Sequence, residues 1–150
     1  MPKCRNISAM EARDMKYLPT NSVMISINQP DTPLFDLQIN RNNGRVLTLQ
    51  FNDVTAKMEI HGQSYYPITD RDAVEILDFI DKHRGKDFIV HCAAGISRSA
   101  AVCLYLNVME GYELKKNFWQ TSRPNPYVMG KLMIAKKQQN EIYEYREPYF

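Results

Sequence analysis

The sequence lacks the features that would place the protein in a membrane or on a secretory route. No uninterrupted apolar run approaches the roughly 20 residues that a helix needs to cross a bilayer. The N-terminal segment MPKCRNISAMEARD is polar and does not resemble a secretory signal. We therefore expect a cytoplasmic protein with no membrane partner.

Cysteine and histidine are scarce, with three of each. The spacing of Cys4, Cys92 and Cys103 matches neither a disulfide framework nor a zinc site, which is typical of a reducing compartment. On this basis Cys4 is expected in a frayed terminus and Cys103 in the core. His61 and His83 have no metal-ligating residues at a useful spacing. The sequence predicts no metal and no cofactor.

Neither sign of charge dominates the composition. The chain has 19 basic and 17 acidic residues, a net charge of +2, and no concentrated basic face that would indicate a nucleic-acid partner. Its 150 residues suit one domain with a sizeable core, and there is no internal repeat or linker. We expect a single domain over residues 1–150, present as a monomer.

Strand-like segments alternate with helical ones along the chain. Short apolar runs predict strands at 23–27, 34–39, 46–51 and 88–90. Apolar spacing and capping residues predict helices after Ser8, at 70–84, 99–108 and 114–121, and from Pro126 onward. This alternation is typical of an α/β fold in which helices flank a central, mostly parallel sheet. The turn at Asn42-Asn43-Gly44 leaves the second and third strands open to either hairpin or parallel pairing.

The segment FIVHCAAGISRS, residues 88–99, contains the strongest chemical signal. An apolar strand ends at Val90 and a helix begins near Arg98, so the loop between them lies at the carboxyl edge of the sheet and at a helix N-terminus. The unpaired backbone N–H groups of such a loop can bind an anion. Small residues keep the loop narrow, and Arg98 adds a planar fork that suits two phosphate oxygens.

The same groups act on Cys92. Backbone N–H groups and a nearby arginine favour the thiolate, which is the nucleophilic form of cysteine. A thiolate beneath a bound phosphoryl group can attack phosphorus and form a covalent intermediate. A lone cysteine before a helix is usually a small buried hydrophobe, but the ordered set of His91, Cys92, Gly95, Arg98 and Ser99 argues against that interpretation.

The run His91–Ser99 resembles, without a gap, the His-Cys-x5-Arg-Ser/Thr loop of the cysteine-dependent protein tyrosine phosphatases. Its Ala-Gly-Ile-Ser-Arg-Ser ending is most like the compact dual-specificity branch, which includes small phosphatases of bacteria and phages. A looser similarity extends from about Val46 to Leu132, and within it Asn125 is a candidate support for the loop. The resemblance implies the tyrosine-phosphatase sandwich, with the phosphate loop between a central strand and the next helix.

The resemblance also implies roles for individual residues. Cys92 would attack phosphorus, Arg98 would bind two oxygens, and Ser99 would donate to the sulfur when it leaves. His91 would fix the loop and the thiolate. The phosphate would be bound by the loop residues Ala93, Ala94, Gly95, Ile96, Ser97 and Arg98.

The proton donor of the family is an aspartic acid that follows the strand before the helix leading to the cysteine. Asp53 follows the strand at 46–51 and fits this description, although it lies further from Cys92 along the chain than in typical compact members. Asp31 and Asp36 follow an earlier strand and are weaker candidates. Asp70 and Asp72 lie at a helix start and are better explained as caps.

The interior of the loop bears on the substrate. Lipid phosphatases of this superfamily tend to have lysines there, and RNA-triphosphatase relatives end in Asn-Arg-Thr, but this loop has neither. The resemblance implies a hydrolase that dephosphorylates phosphotyrosine in proteins or peptides, with phosphoserine and phosphothreonine as further substrates, through a phosphocysteine intermediate. The alternative is a phosphate-binding module of the same fold with weak or no turnover. Sulfur-redox chemistry fits less well, because Cys92 is central in the chain.

Overall fold

The computed structural model describes residues 1–146. Strands and helices alternate along much of this part of the chain, and the strands form a parallel sheet and a small hairpin. The strands are β1 (Lys3–Ile7), β2 (Ser22–Asn28), β3 (Val46–Gln50), β4 (Met58–Ile60), β5 (Gln63–Tyr65), β6 (Asp87–His91) and β7 (Glu113–Leu114). The helices are α1 (Ala9–Asp14), α2 (Asp70–Lys82), α3 (Arg98–Glu110), α4 (Phe118–Thr121) and α5 (Pro126–Arg146).

The central sheet has the order β3-β2-β6-β1-β7, and every pair in it is parallel. β6 lies in the middle, where His91 pairs with Ile7 of β1 on one side and with Ser26 of β2 on the other. The carboxyl ends of these strands therefore meet at one edge, and the chain leaves β6 there. The prediction of an α/β fold with a mostly parallel sheet is confirmed.

Both faces of the sheet are covered. In β6, Phe88 and Val90 pack into a large core with residues of α2, α3 and α5, whereas Ile89 packs into a smaller core with Ala12 of α1 and Ile39. Burial on both faces explains why this strand is an uninterrupted apolar run in the sequence. Among residues 1–146, no helix combines the length and the apolarity needed to cross a membrane.

The predicted strand at 34–39 is wrong, and so is the hairpin alternative for it. Residues 34–39 form a loop, and β3 pairs in parallel with β2. Side chains hold the backbone of this loop: Asn28 Oδ1 accepts from the N–H of Phe35 at 3.2 Å, and Arg41 Nη2 donates to the carbonyl of Phe35 at 2.5 Å. The backbone groups that a strand partner would bond are thus satisfied by distant side chains.

Four short strands have no counterpart in the sequence-based expectation. β1 lies where a frayed terminus was expected, and β4 and β5 form a hairpin in the polar stretch before α2. β7 takes the start of the predicted helix at 114–121, of which only α4 is helical. These strands are short and contain polar residues, so the local sequence carries little signal for them.

The other helices agree with the prediction except at their ends. Ser8 forms the expected capping box with Glu11 at the start of α1, and α3 ends at Gly111, whose φ is +73°. The apolar residues Val128, Leu132, Ala135 and Ile142 predict an inner face for α5, and the first three of them are buried. Ile142 is not, because 55% of its surface is exposed.

Two of the three cysteines are paired. Cys4 of β1 and Cys103 of α3 form a disulfide, although the spacing predicted none. A frayed Cys4 is also wrong, because β1 lies between β6 and β7 and its cysteine is buried. Cys103 is in the core, as expected. The bond ties an inner strand to the helix that follows the phosphate loop, and Cys92 remains a free thiol.

Candidate active site

The loop between β6 and α3 turns tightly at Gly95. This residue has a φ of +75°, in the left-handed region that favours glycine. A Cβ there would lie 2.4 Å from the carbonyl carbon of Ile7, which is closer than such atoms can approach. Glycine therefore allows the loop to rest directly on the end of β1.

The end of β1 supports the loop through hydrogen bonds as well. Asn6 Nδ2 donates to the carbonyl of Gly95 at 2.8 Å, and the N–H of Ala9 donates to the carbonyl of Ala93 at 3.0 Å. With two carbonyls fixed by this neighbouring segment, the orientation of the loop peptides is constrained, as an anion cradle requires. The support that Asn6 gives is not visible in the sequence, where this residue is only an amide beside an apolar residue.

Cys92 lies at the base of a cavity and is 2% exposed. Its Sγ is 3.1 Å from Oγ of Ser99, which is buried in the first turn of α3. A hydroxyl at this distance can donate to the sulfur and stabilise negative charge on it. The geometry therefore permits the role that the resemblance implies for Ser99.

Arg98 is anchored by the segment that follows β3. Its Nη1 donates to the carbonyl of Phe51 at 2.7 Å, and its side chain is buried. The buried Nε has no hydrogen-bond partner within residues 1–146. Because an unpaired buried donor is costly, this N–H is suited to a bound oxyanion that would satisfy it.

Asp53 contacts the phosphate loop directly. Ser97 Oγ donates to Asp53 Oδ1 at 2.7 Å, and Asn125 Nδ2 donates to the same oxygen at 2.8 Å. Within the described part of the chain, the other carboxylate oxygen, Oδ2, accepts no hydrogen bond. The structure thus brings Asp53 to the loop that holds Cys92 and Arg98.

Asn125 joins Asp53 to the loop, in agreement with the expectation that it supports the loop. Its Oδ1 caps the first turn of α5, while its own N–H donates to the carbonyl of Ser97 at 3.1 Å. The N–H of Arg123 donates to the carbonyl of Ile96 at 2.8 Å. The segment before α5 therefore holds both Asp53 and the C-terminal half of the loop.

His91 is held as a neutral ring at the start of the loop. Its Nδ1 is 3.2 Å from the carbonyl of Cys92, which can only accept, so Nδ1 carries the proton. Nε2, 2.5 Å from Ser26 Oγ, then accepts from that hydroxyl, which itself accepts from Arg41 Nη1 at 2.7 Å. Burial lowers the pKa of His91; the charges of Arg41 and Arg98 add to this effect, and the bond to the Cys92 carbonyl opposes it.

The unexpected hairpin is tied to the residue before Asp53. The N–H of Asn52 donates to the carbonyl of Tyr66 at 2.7 Å, and Asn52 Oδ1 accepts from the N–H of Tyr66 at 2.8 Å. Asn52 Nδ2 also donates to Gln29 Oε1 at 2.9 Å. These bonds join the two ends of the segment between Asn52 and Tyr66, which explains how Asp53 reaches the loop despite its long separation from Cys92 in sequence.

A cavity of about 270 Å³ opens above Cys92 and Arg98. Its walls come from the start of α1, the end of β2 and the loop that follows β2. The apolar wall residues are Ala9, Met10, Ile27, Pro33 and Phe35. The segment 34–39, predicted as a strand but found as a loop, therefore contributes Phe35 to one wall of the site.

The remaining candidates lie elsewhere or at the surface. Ala93, Ala94 and Ile96 are exposed on the loop, and Ala93 also lines the cavity above Cys92. Asp70 accepts from Lys131, and Asp72 completes the capping box of α2, as expected for a cap. Asp31 and Asp36 make no hydrogen bond to the loop within the described residues. Nor do the described residues contain a group of three His, Cys, Asp or Glu side chains placed to hold a metal ion.

Comparison with known proteins agrees with the loop motif. No protein-family model matches the chain. It is 34% identical over 107 residues to human dual specificity protein phosphatase 1, an alignment that covers 57% of this chain and 29% of that protein. It is 41% identical over 73 residues to dual specificity protein phosphatase 1-A of Xenopus laevis, covering 43% and 20%. The resemblance to the dual-specificity branch of the cysteine-dependent tyrosine phosphatases is confirmed.

The fold is shared with a solved structure of similar size. Human DUSP28 aligns with a TM-score of 0.51 and 18% identity, over 94% of this chain and 96% of that one. At this identity the likeness shows a common fold. The chain spans less than a third of the length of the two dual-specificity relatives above.

Proposed function

We propose that this protein hydrolyses phosphomonoesters, phosphotyrosine above all, through a phosphocysteine intermediate. The arrangement around Cys92 carries the proposal: a buried thiol beneath an apolar cavity, an arginine with an unpartnered N–H beside it, and Asp53 held against the same loop. Sequence similarity to dual specificity protein phosphatases supports the same activity.

In the first step, Cys92 Sγ attacks the phosphorus of a bound phosphomonoester. The loop amides and the available N–H groups of Arg98 bind the non-bridging oxygens and stabilise the charge of the transition state. The bond between phosphorus and the ester oxygen breaks, and Asp53 gives its proton to that oxygen. The products are an alcohol or phenol and phosphocysteine.

In the second step, water attacks the phosphocysteine. Asp53, now a carboxylate, accepts a proton from the water, the bond between sulfur and phosphorus breaks, and inorganic phosphate leaves. Ser99 Oγ, 3.1 Å from the sulfur, donates to the departing thiolate.

The cavity favours an aromatic leaving group. Ile27, Pro33 and Phe35 offer apolar surface beside the thiol. A tyrosine ring placed there would bury apolar area, at roughly 25 cal/mol for each Å². Phosphoserine and phosphothreonine have no ring to place, so we propose them as weaker substrates of the same site.

Hydrolysis of a phosphotyrosine peptide tests the proposal. The wild type should release phosphate, and Cys92→Ser should release none, because a serine hydroxyl is not ionised at neutral pH. Acid quenching of the reaction with a ³²P-labelled peptide should leave the label on Cys92 of the wild type. Turnover that survives Cys92→Ser would exclude the covalent mechanism.

The same experiment separates the alternative, a phosphate-binding module of this fold. Such a module would bind the phosphotyrosine peptide, as measured by calorimetry, but the wild type would release no phosphate from it. Tight binding of the peptide without release of phosphate would therefore exclude the enzyme and support the phosphate-binding module.

A further inference from the structure

A second cavity, of about 520 Å³, adjoins the phosphate loop. Ala94, Gly95 and Ile96 border this cavity, whereas Ala93 and Cys92 border the cavity above the thiol. One loop therefore separates the two cavities. The other walls come from the end of β1, which contributes Arg5, and from the segment after β7. We call it the Arg5 cavity.

The Arg5 cavity has an excess of positive charge. Arg5 is exposed and makes no salt bridge within residues 1–146, and Lys115 Nζ is held at the wall by donating to the carbonyl of Asn6 at 3.0 Å. Glu11 is the carboxylate of the lining, and its Oε1 accepts from the N–H of Ser8 in the capping box of α1. Two cations thus face the cavity, opposed by one carboxylate that is already hydrogen-bonded.

A buried acceptor in the lining also lacks a donor. Asn6 is 0% exposed, and its Nδ2 donates both to the carbonyl of Gly95 and to Ser122 Oγ, so the orientation of the amide is fixed. Its Oδ1 has no hydrogen-bond partner among the described residues. Buried acceptors are almost always satisfied, so the end of β1 beside the cavity retains an unsatisfied polar group within the described residues.

We propose that the Arg5 cavity binds a second anionic group of the substrate, a carboxylate or phosphoryl group close in sequence to the phosphotyrosine. This inference rests on the proposed function. An extended peptide advances about 3.3 Å per residue, so a side chain within about three positions can reach a neighbouring cavity. Arg5 and Lys115 would bind the anion.

Peptides that differ in one flanking charge test this inference. Wild-type kcat/KM is measured for phosphotyrosine peptides with glutamate, glutamine or phosphoserine at each of the three positions on either side. At one or more positions we expect glutamate to exceed glutamine by about tenfold. The phosphoserine arm tells whether a phosphoryl group is preferred to a carboxylate, with the product's mass showing which phosphate was removed.

Variants assign the preference to the cavity. Arg5→Gln and Lys115→Gln should each lower the ratio of glutamate to glutamine peptide, and the double variant should bring it close to one. Lys116→Gln removes the same charge from the next residue, which is exposed and outside the lining, and should keep the wild-type ratio. A ratio near one for the wild type at every position, or an equal fall in Lys116→Gln, would overturn the inference.

Binding measurements keep this result separate from the proposed function. Calorimetry with Cys92→Ser and the same peptides measures the charge preference without turnover. If the wild type hydrolyses no peptide, the preference for glutamate in binding still supports the cavity. If hydrolysis is efficient but neither kcat/KM nor affinity depends on the flanking charge, the proposed hydrolase activity is supported and the second site is rejected.

Discussion

Asp53 is held by two donors on one oxygen, and this determines how its loss should appear. Asp53→Asn should lower kcat for a phosphotyrosine peptide by about a hundredfold or more, because the tyrosine oxygen needs a proton when it leaves. The loss should be much smaller with p-nitrophenyl phosphate, whose leaving group is stable as an anion. Steady-state kinetics with both substrates measure the difference.

The matched control for this prediction is Asp36→Asn, which removes an aspartate from the loop beside the cavity. It should not change the ratio of kcat between the two substrates. An Asp53→Asn variant with equal losses on both substrates would mean that the residue supports the loop and donates no proton.

The neutral histidines predict how stability depends on pH. The pKa of His91 is lowered from 6.5, mainly by burial, and that of His83 is lowered by burial and by Lys86 and Lys82. The unfolded chain therefore binds more protons than the native protein below about pH 6.5. The free energy of unfolding should be greatest above this pH and should fall as the pH drops toward the native pKa values.

Urea unfolding between about pH 7 and pH 5 measures this slope. His91→Asn should reduce the slope of the free energy of unfolding against pH, because asparagine can bond to the same neighbours without titrating. His83→Gln should remove the part of the slope that His83 contributes. Identical slopes for the wild type and both variants would show that the two histidines are not responsible.

At the scale of elements, hydrogen bonds between Asn52 and Tyr66 hold the β4–β5 hairpin to the segment that follows β3. Asn52→Ala removes the side-chain bonds to Tyr66 and Gln29 and should loosen the segment that carries Asp53. We expect kcat for a phosphotyrosine peptide to fall by about tenfold with little change in KM, and a smaller fall with p-nitrophenyl phosphate.

Gln63→Ala is the control, because this residue lies in the hairpin but makes no side-chain hydrogen bond within the described residues. It should keep the wild-type kinetics with both substrates. If Asn52→Ala raises KM and leaves kcat unchanged, the hairpin contributes to binding and does not position the acid.

Elements with a strong local signal could be predicted, and those made by distant partners could not. β6 is apolar on both faces, and α2 has a capping box and one apolar face, so the sequence alone identifies them. The segment at 34–39 has equally apolar residues but bonds through the side chains of Asn28 and Arg41. Strand propensity alone does not reveal that its backbone groups are satisfied in this way.

At the scale of the whole molecule, some residues of the site could be predicted from the sequence and others could not. Cys92, Arg98 and Ser99 belong to one contiguous motif and are visible in the sequence. Asn6 and Asn52 support the loop and the acid from segments far from this motif. Their contacts exist only after β1 joins the sheet and the hairpin closes, so a single sequence offers no spacing from which to predict them.

The disulfide is the feature of the whole molecule with the clearest consequence for stability. Cys4 and Cys103 are 99 positions apart, so the bond closes most of the chain into one loop. A loop of about 100 residues restricts the unfolded state enough to contribute roughly 4–5 kcal/mol, an estimate based on chain entropy. Reduction should therefore lower the free energy of unfolding by up to this amount.

Urea unfolding with and without dithiothreitol measures the effect, and Cys92→Ser is the control because it keeps the disulfide and removes the free thiol. That variant should lose as much stability on reduction as the wild type, while Cys4→Ser should lose none. Because β1 also carries Asn6 and supports Gly95, the proposed phosphatase activity should be lost at a lower temperature in the reduced wild type than in the oxidised form. Equal stability of the oxidised and reduced wild type would show that the bond does not contribute to the folded state in solution.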